Sequence, residues 1–308
     1  MSSVFLFGAG ASFGSGNCFP EPPPLGNGQN GLFKKLQERG GFVASIANPL
    51  ADLFINNFEE GMAEFYSTRE SETPAFLREM SLYFSGFQSL EGNLYKELIK
   101  FIATTKLQVV YATTIYDLLI EHSICQLGYR VEYRGLPVSK NSFSVLKIHG
   151  SCNFLPSMDA KLTNCSFSYC GEGDPPRVLK ILDAPVRAAQ PYEVIKFCKE
   201  EDSIAPAIAM YIKGKGVMFC NNYILQQQEF WKESVFKAKK IFVIGLRVNA
   251  EDEHIWQTLA SSKAQLLYVG VNEKENFEDW KKETRRKNAH WIANRFDEAM
   301  PIIKRHLR

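Results

Sequence analysis

A short apolar run at residues 4–7 breaks directly into Gly8-Ala9-Gly10-Ala11-Ser12, and this junction constrains the fold more than any other stretch of the chain. Apolar residues ending in closely spaced glycines read as a buried strand whose carboxyl end turns sharply. Bare backbone at such a turn can approach a phosphate that a side chain would hold away. The spacing departs from the dinucleotide fingerprint of dehydrogenases, whose third glycine would fall at Phe13. Taken alone, the two-glycine core is equally consistent with a plain structural turn.

The same pattern recurs along the chain. Residues 107–112 are apolar and β-branched and run into Thr113-Thr114-Ile115-Tyr116-Asp117, with a helix expected to start there and Asp117 near its first turn. Further strands are expected at 130–133, 144–148, 240–245 and 266–271, and helices at 204–212, 223–238, 255–259 and from Glu278 onward. The Pro- and Gly-rich segment 18–30 reads as loop, and 156–177 as loop or small ribbon. Between 31 and about 104 the spacing of Leu32, Phe33 and Leu36, of Leu50, Phe54 and Phe58, and of Leu94, Leu98 and Ile102 predicts an insertion of several short helices. Strands alternating with helices define an α/β chain with a parallel sheet covered on both faces. Ligands bind such sheets at the carboxyl ends of the strands. The polar stretches 8–12, 113–117, 149–151, 245–252 and Asn272 all fall there.

Composition removes several alternatives. The 308 residues carry 36 basic and 34 acidic side chains, a balance that calls for no polyanionic partner. With 45% hydrophobic and 23% charged residues, neither a disordered nor a collagen-like chain is expected. Apolar runs such as 241–246 fall short of the ~20 residues of a membrane span, and the amino terminus lacks the basic start of a signal peptide. The seven cysteines include no Cys-x-x-Cys pair and read as reduced thiols. His149, Cys152, Cys165 and Cys170 match no paired-ligand spacing, so no metal is expected. Basic residues at 281–282, 285–287 and 304–306 alternate with Glu278, Asp279 and Glu283, which fits a solvated helix face better than a nucleic-acid surface. His122, His254, His290 and His306 read as surface or packing residues.

In order, Gly-Ala-Gly-Ala-Ser at 8–12, Thr-Thr-Ile-Tyr-Asp at 113–117, Lys-Ile-His-Gly-Ser at 147–151 and Gly-x-x-x-x-x-x-Asp at 245–252 resemble the sirtuin-like domains of bacterial anti-phage defence proteins. Arg295-Phe296-Asp297-Glu298 is similar to that family's closing strand and terminal helix, so the resemblance runs from residue 4 to about 303. It implies a single Rossmann-like domain over 1–308 with the helical insertion at 26–104. It also implies NAD as ligand or substrate, and NAD glycohydrolysis that depletes NAD in infected cells (abortive infection). A cytoplasmic bacterial homo-oligomer is implied, with a DNA-translocase-type ATPase or a short Argonaute protein as possible partner. Deacetylating sirtuins carry two Cys-x-x-Cys pairs for zinc, which this chain lacks, so the resemblance does not extend to protein deacetylation.

The resemblance also assigns roles. Gly8, Ala9, Gly10, Ala11, Ser12 and Thr113 would hold the cofactor. His149 would be the catalytic histidine, suited to the task because imidazole titrates near neutrality; its plainer reading is a strand-end or core histidine. Asp117 either meets the ligand or caps a helix. Gly245 would admit the adenosine side, and Asn272 would lie at the same rim. Asp252 either meets a ribose hydroxyl or is a solvated loop acid. Arg247 stands where the family commonly has Ser, and reads as phosphate-binding or simply exposed. Ile115 stands where the family usually has a catalytic Asn, and its side chain neither donates nor accepts a hydrogen bond. Two functions follow: an NAD-hydrolysing effector, or a catalytically weak subunit that binds NAD or ADP-ribose as a scaffold.

Overall fold

The computed structural model describes residues 2–105, 107–135, 139, 141–157, 183–201, 203–209, 217–249 and 252–308. These fall into two compact units. The first comprises Met1–Pro23, Phe87–Ile148 and Gln226–Arg308; the second comprises Pro24–Gly86 and His149–Leu225.

The first unit contains β1 (Ser2–Phe7), α1 (Ala9–Phe13), β2 (Cys18–Phe19), β3 (Gln88–Ser89), α6 (Leu94–Ala103), β4 (Gln108–Thr113), α7 (Leu119–Gln126), β5 (Arg130–Glu132) and β6 (Ser142–Lys147). It continues with most of α9 (Asn221–Lys237), then β9 (Lys240–Ile244), α10 (Glu253–Ser261), β10 (Gln265–Val269), α11 (Lys274–Glu283), β11 (Ala289–Ala293) and α12 (Phe296–Leu307). Seven strands form one sheet in the order β11-β10-β9-β1-β4-β6-β5. Every neighbouring pair is parallel.

Alternation along β1 explains the two covered faces, because successive side chains point to opposite sides. Val4 and Leu6 pack with Trp231 and Val235 of α9, Ile255 and Leu259 of α10, and Phe277 and Trp280 of α11. Phe5 and Phe7 point the other way. Phe5 stacks on Phe242 at 4.6 Å, and Phe7 meets Tyr95 of α6 edge-on at 5.0 Å and Phe296 of α12 at 6.0 Å. This is the Rossmann-like α/β architecture expected, with helices on both faces.

The second unit contains α2 (Leu32–Glu38), α3 (Leu50–Asn56), α4 (Phe58–Thr68), α5 (Thr73–Phe84), α8 (Pro191–Glu200) and the antiparallel pair β7 (Phe154–Pro156) and β8 (Val186–Ala188). The helices expected over 26–104 are thus divided, α2 to α5 belonging to this unit and α6 to the first. The core of the helical part is an aromatic stack in which Phe54 lies flat on Phe33 at 4.5 Å and on Phe76 at 5.2 Å.

Two expectations about local structure are corrected. Residues 204–209 are not helical: Pro206 supplies no N–H, and Ile208 and Ala209 bridge to Gly150 and Val217. A short apolar run does not by periodicity distinguish a strand from a helix. The C-terminal region is not continuous helix either, because Ala289–Ala293 pairs with β10 as an edge strand. Most of the expected loop at 156–177, with Cys165 and Cys170, lies outside the described residues. No helix among the described residues is long and apolar enough to cross a membrane.

The Phe54 ring has no exposed surface and has aromatic neighbours on both faces. Phe54→Ala should therefore cost about 3–5 kcal/mol, the range for emptying an aromatic core position. Urea unfolding of the variant beside the parent checks this.

Candidate active site

The topology reverses at β1, with β4 on one side and β9 on the other. At that switch point the turns following β1 and β9 pack backbone on backbone. Gly8 N–H donates to Ile244 O at 2.9 Å, and Gly10 N–H donates to Gly245 O at 2.9 Å. A Cβ on Gly8 would stand 2.4 Å from Gly245 O, and one on Gly245 would stand 2.1 Å from Ala11 N. Gly245 also has φ +67°, a conformation that L side chains disfavour. These glycines are required by turn-on-turn packing, independently of any ligand. The one-turn helix α1 follows, with Ala9 exposed and Ala11 and Ser12 buried.

Beside this turn lies the segment after β4. Phe7 pairs with Thr113, and Thr114 N–H donates to Phe7 O at 3.0 Å. Ile115 is buried, and its N–H donates to Thr113 Oγ1 at 2.9 Å. Asp117 is 3% exposed. Its Oδ1 accepts the Leu119 N–H at 3.0 Å, capping the first turn of α7, whereas Oδ2 makes no well-formed hydrogen bond among the described residues. Burial pushes the Asp117 carboxyl above its usual value, opposed by the Lys147 ammonium, the Leu119 N–H and the nearby Ser12 hydroxyl. Ser12 Oγ shares a hydrogen bond of 3.0 Å with Tyr95 OH of α6.

Four residues to which the sequence assigns no role of their own build this region. Lys147 of β6 sits opposite Thr113, and its Nζ donates to Asp117 O at 2.6 Å and pairs with Glu121 Oε1 at 3.2 Å. Glu121 lies one helical turn after Asp117, and burial raises its carboxyl, opposed by Lys147. Tyr95 holds Ser12, as above. Asn93 fastens the loop after α1, its Nδ2 donating to Gly16 O at 2.6 Å and to Ser15 Oγ at 3.0 Å. A lysine inside the apolar run 144–148 was the readable signal, since a strand covered on both faces leaves an ammonium no water.

The remaining site candidates are placed as follows. Asp252 is buried, so it is not a solvated loop acid; its carbonyl accepts the Ile255 and Trp256 N–H groups where α10 begins. Asn272 is exposed beyond β10, with φ +58°. Arg247 is exposed, 3.8 Å from Glu273. His149 follows directly on Ile148 and is the first residue of the second unit's longer segment. It is 2% exposed, and its carbonyl accepts the Ala209 N–H at 2.8 Å. Gly150 after it has φ +82°, and a Cβ there would meet Ala207 O at 2.0 Å. His122 is a packing residue whose Nδ1 accepts the Ser89 N–H at 3.2 Å. Among the described residues, no group of three or more His, Cys, Asp or Glu side chains is placed to hold a metal ion.

The fold has solved counterparts. A sirtuin structure from work on the structural basis of sirtuin substrate affinity matches with TM-score 0.50 at 14% identity, over 99% of this chain and 92% of that one. A second on the same subject matches with TM-score 0.49 at 15% identity, over 99% and 92%. No family model matches the chain, and no curated protein matches it. The chain has a sirtuin-like fold.

Gly245→Ala would force an L side chain into the left-handed region and against Ala11 N. It should lower stability by more than about 2 kcal/mol. Chemical denaturation followed by near-UV circular dichroism tests this.

Proposed function

We propose that this chain binds NAD at the carboxyl ends of β1, β4 and β9 and hydrolyses its nicotinamide–ribose bond. The carrying observation is the switch point of a sirtuin-like sheet, where the turns at 8–12, 113–117 and 245 adjoin. The residues there suit a dinucleotide. Ala9 is exposed and bears only a methyl group beside the turn, so a diphosphate can come close to the backbone. Asp117 Oδ2 is a buried acceptor that a ligand N–H or O–H would satisfy.

Cleavage of the bond puts positive charge on the ribose while neutral nicotinamide leaves. Water then adds to the ribose carbon, giving ADP-ribose and releasing one proton. The chain's task is to hold the diphosphate, orient the ribose and accept that proton. By the resemblance, the imidazole of His149 is assigned that proton.

Ile115 favours a second reading. Its N–H is committed to Thr113 and its side chain is apolar, so it offers neither the donor nor the acceptor of an amide. Losing one polar transition-state contact costs about 3 kcal/mol, or about a hundredfold in rate. A slow enzyme, or a subunit that binds NAD or ADP-ribose as a scaffold, follows from that change alone. In either form the cellular role we assign is that of a cytoplasmic, homo-oligomeric component of a bacterial anti-phage complex, with a DNA-translocase-type ATPase or a short Argonaute as partner.

Nicotinamide release from NAD, followed over hours, tests the assignment. The natural protein alone should be slow, and Ile115→Asn should raise the rate by up to about a hundredfold. Adding His149→Ala to that variant should abolish the gain. Rapid hydrolysis by the natural protein that His149→Ala leaves untouched would overturn both the site and the account of Ile115.

A further inference from the structure

We infer that Lys147 is a positioning residue of the nucleotide site, its ammonium holding the 113–117 turn through the Asp117 carbonyl while Glu121 of α7 anchors it. The inference rests on the NAD reading above and deepens it.

The geometry is that of a clamp. Lys147 lies on β6 opposite Thr113, at the carboxyl end of the sheet, and its side chain is 1% exposed. Its Nζ reaches back across the end of β4 to Asp117 O at 2.6 Å and to Glu121 Oε1 at 3.2 Å. Asp117 is thereby fixed at two points, its carbonyl by Lys147 and its Oδ1 by the Leu119 N–H. Its remaining oxygen, Oδ2, is buried and has no well-formed bond among the described residues. Stability does not account for the pair. Removing an ammonium and a carboxylate from water costs about what their attraction returns, and an apolar pair of similar volume holds a core as well or better.

The ammonium has a second effect. Asp117 is opposed by burial and relieved chiefly by Lys147. Without that charge the carboxyl holds its proton to higher pH, and a protonated Oδ2 donates where the carboxylate accepts. The groups facing Asp117 are Lys147 from β6, Glu121 from α7, Tyr95 from α6 and Cys18 from β2. Burial raises both Tyr95 and Cys18 above their ordinary values, so they stay neutral through the acid and neutral range.

The test is calorimetric titration of the full chain with NAD and with ADP-ribose, between about pH 5 and 9, a range that brackets raised carboxyls. Lys147→Met alone strands the Glu121 carboxylate in the core, so the decisive variant is Lys147→Met with Glu121→Leu, which replaces the ion pair by an apolar one. It should melt within about 5 °C of the parent. It should also bind NAD at least about tenfold more weakly at neutral pH. The pH at which affinity is half lost should move upward, because Asp117 has lost its cation. A folded double variant with parental affinity and an unmoved pH profile overturns the proposal and leaves the NAD reading standing. A double variant that does not fold assigns the pair to stability and also overturns it. A parent protein that binds neither NAD nor ADP-ribose overturns the NAD reading and the proposal together.

Discussion

Backbone laid directly on backbone at the end of β1 is the contact on which the rest of the first unit depends. The Gly8 and Gly10 N–H groups are committed to the β9 turn, and Gly245 fits only because it has no Cβ to meet Ala11. That contact fixes how closely β9 approaches β1, and through the parallel register it fixes β10 and β11 as well. It also sets the width of the rim at which the sheet's polar turns collect. A side chain at Gly8 or Gly245 would first have to part the two turns, and only then would it matter to a ligand.

The turn after β4 separates backbone form from side-chain chemistry. Backbone shape at position 115 is set by the Thr113 hydroxyl and by β1, and it is kept with isoleucine in place. Chemistry at that position belongs to the side chain, and isoleucine has none to offer. Turn geometry and side-chain contacts here are governed by different atoms.

Much of this was legible in the sequence. Runs at 4–7, 107–112 and 240–245 each combined apolar character with an abrupt polar or glycine stop, and each became a strand of the central sheet. Asp117 was readable as a residue at a helix start. Other features were not readable, for specific reasons. The 204–209 stretch has helix-like apolar content, but Gly150, the bridge partner of Ile208, is distant in sequence. Strand Ala289–Ala293 is short and flanked by charge, so the helical pattern on either side masked it. Glycine spacing suggested an approach to phosphate but gave no sign that residue 245 packs on the same turn, because no local pattern announces a contact across more than two hundred residues. For Asp252 the sequence left a ribose contact and a solvated loop acid equally open, because its burial comes from tertiary packing.

The register carries a consequence for how the chain is made. β1 is central to the sheet, yet one of its two partners, β9, begins at Lys240. During synthesis β1 and β4 can pair early, leaving the other edge of β1, with its apolar residues and unpaired peptide groups, open until more than a hundred further residues have emerged. At about 5–20 residues per second that is a wait of several seconds or more, and an open apolar edge is what recruits chaperones or other nascent chains. The segment that covers that edge of β1 is the same one that brings Gly245 against Gly10, so the rim of polar turns cannot exist before residue 245 has emerged.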